Sequence, residues 1–356
     1  MPARRIGVAL LPALALLLTF VASPEAAPPP PSFVATERYA SIVVDGDNGR
    51  VLAATNADHT LHPASLTKIM TLYMTFDALK RGDLSLKQVL PVSAHAAAMT
   101  PTELGLKAGE TITAEQAILG LVTRSANDAA VVLAEALGGT EAEFCKRMTE
   151  RAFELGMDQT NFANASGLPN PRQVSSARDM ALLAIAMLRD HRDEYRYFST
   201  FRFTYRGRAY YNHNRLLGLY KGTDGVKTGY THASGYNLVA SSVRDGRRVS
   251  GVVFGGSSGW VRDAHMMQLL DQGFRSLPER DRKPSESETL EVSTARDPLR
   301  LAGTADFDFK PIPVAAAPAA TVAVAAARAP AKKAAARRSP PKVRAMLVKA
   351  GMSAKS

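Results

Sequence analysis

Apolar and polar positions follow two different periods along this chain, and the period changes twice. Tyr39–Val44 and Val51–Ala54 are apolar-rich runs on either side of Gly46-Asp47-Asn48-Gly49, a pattern that predicts a β-hairpin. From Ser65 to about Lys80 the residues Leu66, Ile69, Met70, Leu72, Tyr73 and Phe76 fall at helical spacing. Ala114–Val122, Asp128–Leu137, Glu141–Leu155 and Ala177–Arg189 read as further helices, with Gly138-Gly139 and Gly156 as stops. After Thr200 the strand pattern returns. Phe201–Tyr205 and Arg208–Tyr211 predict one hairpin; Tyr236–Ser242 and Val249–Phe254, split by Arg244-Asp245-Gly246-Arg247, predict another. Val261–Phe274 closes the region as a helix. The order hairpin, helices, hairpins, helix implies an α+β fold. Strands from both ends of the segment must pair in one sheet, which the intervening helices cover or leave as a separate lobe. No internal repeat of fixed period is present.

The two ends of the chain depart from this patterning. Residues 1–27 read as a secretory signal: Arg4 and Arg5, the uncharged apolar run Ile6–Val21, then the small residues Ala22, Ser23, Ala26 and Ala27. The run is short for a membrane span, which needs about 20 residues; the alternative is an uncleaved N-terminal anchor. Residues 28–34 form a Pro-rich spacer. Residues 279–356 form a low-complexity basic tail, expected to be largely disordered. Near its end Val343, Met346, Leu347 and Ala350 share one helical face, too short to hold without a partner surface.

Composition narrows the class. With 356 residues and 46% hydrophobic content, the chain is neither mainly disordered nor a multi-span membrane protein. The net charge of +11 belongs to the ends. Residues 310–356 carry ten basic and no acidic residues and residues 1–30 a net +1, so residues 31–309 sum to zero. A neutral folded part gives no reason to expect a nucleic-acid partner. The single Cys145 excludes a disulfide framework and a Cys-based zinc site, and reads as a buried small apolar residue. No His-Glu-x-x-His run occurs, so a zinc hydrolase has no local support; neither metal nor cofactor is expected where Lys68 and Ser125 do the acid–base work.

Three short motifs carry chemistry in one order: Ser65-Leu66-Thr67-Lys68, Ser125-Ala126-Asn127 and Lys227-Thr228-Gly229. Each alone is weak; a second Ser-x-x-Lys, Ser339-Pro340-Pro341-Lys342, lies in the tail. Taken singly, Ser65 and Asn127 read as helix caps and Lys227 as a surface charge. Together they make sense as a nucleophilic site. A serine hydroxyl needs a neighbouring base, and three residues on a helix place Lys68 one turn past Ser65 on the same face. A lysine is a base only when neutral; burial and a second cation, Lys227, lower its pKa. Ser65 at the start of its helix faces backbone N–H groups that favour an oxyanion. Ser125, on an inter-helix turn, is placed to relay a proton between Lys68 and a leaving amine, and Asn127 to hold a substrate amide. Lys227-Thr228-Gly229 follows the turn Gly222-Thr223-Asp224-Gly225. It leads to a strand whose edge would pair with an extended peptide, with Gly229 allowing close approach.

The wider motifs resemble those of the serine D-alanyl-D-alanine carboxypeptidases, the low-molecular-mass penicillin-binding proteins. His62-Pro63-Ala64-Ser65-Leu66-Thr67-Lys68-Ile69-Met70 is similar to their Pro-Ala-Ser-x-Thr-Lys-x-Met block, and Ser125-Ala126-Asn127-Asp128-Ala129 to their Ser-Gly-Asn-Asp-Ala. Asn164-Ala165-Ser166-Gly167-Leu168-Pro169 with Ser175-Ser176-Ala177-Arg178-Asp179, and Asp224-Gly225-Val226-Lys227-Thr228-Gly229-Tyr230-Thr231, extend the match over about residues 35–278. The resemblance implies a beta-lactamase/transpeptidase-like fold: an antiparallel sheet flanked by helices, with an all-helical subdomain. It makes residues 35–278 the catalytic domain. It implies that Ser65 is acylated with Lys68 as base and that Ser125 and Asn127 line the cleft. Lys227 and Thr228 would bind the carboxylate side of the substrate, and the backbone N–H groups of Ser65 and Tyr230 would form the oxyanion hole. Arg262 is the candidate to meet the terminal carboxylate, against the alternative of a surface arginine at a helix start.

The implied reaction removes the terminal D-Ala from peptidoglycan pentapeptide stems, without a metal, with beta-lactams as inhibitors. The site would be the periplasm or the outer face of the cytoplasmic membrane. Alternatives are a D,D-endopeptidase or transpeptidase, a beta-lactamase (disfavoured, since Asn164–Val174 contains no Glu), or a non-catalytic envelope-binding protein. Two features depart from the family pattern. Tyr230 stands where some members have His. Residues 279–310 are too few for the C-terminal β-rich domain of well-studied members, and the basic tail replaces it. That tail is expected to adhere weakly to membrane surface or anionic envelope polymers, or simply to solubilise.

Overall fold

The computed structural model describes residues 36–277, all within the first of the chain's two units, Met1–Ala302. The expected signal, spacer and tail lie outside the described residues. Strands β1 (Ala40–Asp45) and β2 (Val51–Thr55) form the predicted N-terminal hairpin. A 3-10 turn, Ala64–Thr67, leads into α1 (Lys68–Arg81). Then come β3 (Val89–Pro91), α2 (Ala94–Ala97), β4 (Thr111–Thr113), α3 (Ala114–Thr123), α4 (Asn127–Gly138), α5 (Glu141–Glu154) and α6 (Ala177–Asp190). Past a second 3-10 turn at Glu194–Ser199 lie the hairpin β5 (Arg202–Tyr205) and β6 (Arg208–Tyr211), and short α7 (Leu216–Leu219). The chain then forms β7 (Thr223–Thr231), β8 (Gly235–Arg244), β9 (Arg247–Gly256) and α8 (Gly259–Ser276).

The sheet order is β2-β1-β9-β8-β7, every pairing antiparallel. The two ends of the domain meet in the β1–β9 ladder, from Ala40 opposite Phe254 to Asp45 opposite Val249. Side chains alternate between two cores, as the period of two requires. Ile42, Val44, Val239, Val252 and Phe254 face the core shared with α1, α4 and α6. Val43, Leu238, Ala240, Val249 and Val253 face Met266 and Leu270 of α8. The outcome is helices, sheet, helix: an α+β fold with an antiparallel sheet.

α1 explains the character of the site. Nine of its residues are buried, among them Ile69, Met70, Leu72, Tyr73 and Phe76 with no exposure at all. A helix buried nearly all round runs through the core rather than over it, so a lysine at its first residue is carried inside.

Some expectations are corrected. The helix expected from Ser65 begins as a 3-10 turn, and regular α geometry starts at Lys68. The expected turn at 222–225 ends at Gly222; Thr223 bonds back to Tyr220, and Thr223 onward belongs to β7 with an irregular step between Thr223 and Gly225. The helical side is not purely helical, since it carries the two-strand ladder β3–β4. These three-residue strands, and the four-residue α2 and α7, are too short to show a period in sequence. No helix among the described residues is long and apolar enough to cross a membrane.

Candidate active site

Ser65, Lys68 and Asn127 meet at the N-terminal end of α1. Lys68 is fully buried, and its Nζ lies 3.2 Å from Ser65 Oγ, 2.8 Å from Asn127 Oδ1 and 2.5 Å from the Ser166 carbonyl oxygen. Burial pulls the Lys68 amine well below the usual lysine range; the Lys227 charge lowers it further, and Asp128 opposes both. A neutral amine has two N–H groups and one lone pair. Asn127 Oδ1 and the Ser166 carbonyl are acceptors only, so they take both N–H groups. The lone pair is left for the Ser65 hydroxyl, which donates to it.

Each partner is positioned by its own element. The segment before Ser65 is tied to the sheet by Asn237 of β8, whose Nδ2 donates to the carbonyls of His62 (3.0 Å) and Pro63 (3.2 Å). Asn127 is the first residue of α4 rather than its cap, which is Ala126, so its side chain is free to face Lys68. The loop carrying Ser166 is folded by its own amides: Asn164 Oδ1 accepts from the N–H of Gly167 (2.7 Å) and Leu168 (3.1 Å), and Gln173 Nε2 donates to Thr67 Oγ1 (2.7 Å). Gly167 has φ +83°, and a Cβ there would stand 1.9 Å from the Ala64 carbonyl oxygen, so this loop closes on the Ser65 turn only with glycine.

Ser125 sits in the turn between α3 and α4 with φ +60°, two residues before Asn127. Its Oγ is buried with no hydrogen-bond partner. Buried orphan hydroxyls are uncommon, and a non-glycine residue in the left-handed region stores strain; both concentrate at functional sites. Ala64, with φ +50°, does the same beside Ser65.

β7 supplies the other wall as an edge strand of the sheet. A Cβ on Gly229 would lie 2.9 Å from the Pro63 carbonyl oxygen and 3.2 Å from the Ser65 nitrogen, so glycine lets the strand approach the nucleophile's backbone. Lys227 is 2% exposed, its Nζ donates to the Thr228 carbonyl (3.0 Å), and burial, then Arg262, push it down to about 7. Thr228 is buried at 7% exposure, while the Tyr230 ring is exposed and lies against Tyr236, centroids 4.3 Å apart. Arg262, in the first turn of α8, is buried rather than superficial. Its Nε and Nη2 donate to Asp263 Oδ1, at 2.9 and 2.5 Å, and its Nη1 to the Asn237 carbonyl (3.2 Å).

Sequence reasoning missed two groups. His213 lies within the field of Lys227, Arg124, Lys68 and Arg262; loss of hydration first, and then those cations, push its imidazole down to about 4. The residue stays exposed, so solvent weakens these charge effects. Its neighbours are pinned, Asn212 Nδ2 to the carbonyls of Phe198 and Thr200, and Asn214 Nδ2 to that of Gly225. Arg124, next to Ser125, has a buried Nε without a partner. No spacing in the sequence marks His213, whereas Arg124 abuts a motif. Cys145 is buried, its thiol pushed up to about 12 chiefly by that burial. A surface cavity of about 420 Å³ between α1 and α5, lined by Met74, Asp77, Arg147 and Arg151, holds none of the motif residues.

The family model described as D-alanyl-D-alanine carboxypeptidase matches residues 25–258. The D-alanyl-D-alanine carboxypeptidase DacF of Bacillus subtilis is 37% identical over 252 residues, covering 68% of this chain and 64% of that protein. DacC of Escherichia coli is 39% identical over 241 residues, covering 66% and 60%. The chain thus spans less than two thirds of the length of these two curated relatives. Among solved structures, penicillin-binding protein 5 of Haemophilus influenzae superposes with a TM-score of 0.65 at 33% identity, covering 70% of this chain and 73% of that one. Penicillin-binding protein D2 of Listeria monocytogenes in its ampicillin-bound form gives 0.61 at 31% identity, covering 66% and 96%.

Proposed function

The chain belongs to the D-alanyl-D-alanine carboxypeptidase family, and on that premise we propose that it hydrolyses the terminal D-Ala from peptidoglycan pentapeptide stems through an acyl-Ser65 intermediate. One observation carries the serine mechanism: the buried Lys68 amine, with both N–H groups engaged by Asn127 and Ser166, keeps its lone pair for Ser65. Ser65 Oγ attacks the carbonyl carbon of the scissile bond while Lys68 takes its proton. The backbone N–H groups of Ser65 and Tyr230 receive the oxyanion. As the tetrahedral adduct collapses, the C–N bond breaks and the Lys68 proton passes by way of Ser125 to the departing D-Ala nitrogen. Water then attacks the ester, Lys68 again accepting a proton, and Ser65 is restored. Lys227, Thr228 and Arg262 face the terminal carboxylate.

Endopeptidase and transpeptidase action use the same acyl-enzyme and differ in the leaving or accepting amine. Deacylation of a beta-lactam by a loop carboxylate is disfavoured, because Asn164–Val174 has neither Glu nor Asp. Residues 1–27, read as an export signal, support a reaction outside the cytoplasm, and the basic composition of the tail supports salt-sensitive adhesion to anionic envelope polymers or membrane surface. Incubation with a pentapeptide stem and mass detection of released D-Ala tests the assignment. Wild type is expected to release it and to be labelled by a fluorescent penicillin, and Ser65→Ala to do neither. Equal labelling of both proteins would overturn the proposal.

A further inference from the structure

Arg215, which immediately precedes α7, has no part in the reaction just described. Its Nε and Nη2 both lie 2.8 Å from Asp263 Oδ2, and its guanidinium stands 5.5 Å over the Trp260 ring. The other oxygen of that buried carboxylate is taken by Arg262. Two guanidinium groups therefore share one carboxylate, which leaves one positive charge uncompensated. The excess is presented by Arg215, whose side chain is 45% exposed against 5% for Arg262.

The surroundings of Arg215 connect it to the cleft. A Cβ on Gly259 would stand 3.6 Å from Arg215 Nη2 and 3.7 Å from Tyr236 Cδ1, so Tyr236, Gly259 and Arg215 are neighbours. Tyr236 in turn packs on Tyr230, the residue after Lys227-Thr228-Gly229 on β7. Tyr230 and Trp260 are each about half exposed. A ledge of two aromatic rings and one oriented cation thus continues the strand edge beyond the catalytic motif. Arg215 also satisfies the buried Asp263 Oδ2, but Arg262 already supplies the charge that balances this carboxylate, so the second guanidinium brings a positive charge that the pair does not need. A guanidinium already held by a carboxylate and a ring loses little further freedom on meeting an anion, and its planar fork suits a carboxylate.

We propose that Arg215, seated between Asp263 and Trp260, forms an anion subsite at the rim of the cleft that selects substrates carrying a carboxylate in addition to the terminal one. The proposal rests on the peptidase reading above. The second carboxylate has two possible sources: the side chain of the residue preceding the D-Ala pair, or the residue released when the bond cut joins two stems.

Three peptides separate the outcomes: one ending in D-Ala-D-Ala behind a neutral side chain, its counterpart with a carboxylate on that side chain, and one whose released residue bears a second carboxylate. Wild type is expected to prefer one of the carboxylated peptides over the neutral one in kcat/KM, and Arg215→Gln to cut that preference about fivefold. The peptide affected shows on which side of the scissile bond the anion lies. General damage to the fold lowers all three values together and leaves the ratios intact. Unchanged ratios in Arg215→Gln would overturn the proposal. A second measurement needs no turnover. Trp260 is the chain's single tryptophan, so its emission in Ser65→Ala protein reports the ledge directly. A carboxylated peptide is expected to shift that emission and the neutral one not to; identical responses would count against the subsite even if wild type cleaved none of the three. Failure of the peptidase reading would appear separately, as cleavage retained in Ser65→Ala or absent from wild type.

Discussion

At the scale of single residues, the proposed reaction asks opposite charge states of two lysines that are both buried. Lys68 has to be neutral to accept the Ser65 proton in the proposed reaction, and burial pulls its amine well below the usual lysine range. Lys227 must be charged to meet a carboxylate, yet burial and Arg262 bring it to about 7. kcat/KM reports the free enzyme. It should therefore rise on the acid side as Lys68 deprotonates and fall on the alkaline side from about 7 as Lys227 loses its charge. Lys227→Arg should abolish the alkaline limb, because a guanidinium stays protonated throughout; a pH–rate profile of both proteins checks this. Lys68→Ala should slow penicillin acylation by about 10²–10⁴-fold, the usual contribution of a positioned base. The same burial has a cost in stability. Unfolded, Lys227 keeps its proton up to about 10.4, whereas folded it releases it at about 7. Between those values folding expels a proton, so stability rises with pH and is lost as pH falls towards 7. Lys227→Met should raise the urea midpoint at neutral pH and flatten its rise between pH 7 and 10, while abolishing activity.

At the scale of elements, the site is made by three segments that close on one another. The Ser65 turn, the loop carrying Ser166 and strand β7 all approach within contact distance, and two glycines permit it. Gly167→Ala would meet the Ala64 carbonyl in a backbone conformation that already disfavours alanine. The expected result is a lower melting temperature together with acylation slowed at least tenfold, about what a small misplacement of reacting groups costs; thermal melts and penicillin labelling read the two effects. The motif residues Ser65, Lys68 and Asn127 were legible beforehand because their spacing is local and their chemistry needs particular side chains. That Thr223–Thr231 is itself a strand, and the edge of the sheet, was not legible: residues 222–225 read as a turn, and the strand was expected only from Tyr236. His213 and Arg215 were not legible either, since each acquires its surroundings from segments distant in sequence. Arg262 was singled out by resemblance, but its burial against Asp263 could not be read from a helix start.

At the scale of the whole molecule, residues 31–309 sum to zero and ten of the eleven excess positive charges lie beyond residue 309. Ending the chain there lowers the net charge from +11 to +1. Such a protein should keep its peptidase activity and lose low-salt sedimentation with anionic liposomes; undiminished sedimentation would leave the tail as a solubiliser. What the sequence determined by itself is whatever depends on neighbours along the chain. The hairpins and helices follow from period, the base one turn from its nucleophile from helical geometry, and the need for a strand edge from the motif that opens onto it. Tertiary structure alone decided that both lysines are buried together and that Lys227 is shifted down as well as Lys68. It also decided that one buried carboxylate serves two arginines. Those properties depend on dehydration and on distances between segments that meet only when β1 pairs with β9. Desolvation and Coulomb energies are functions of position in space, and position along the chain does not contain them.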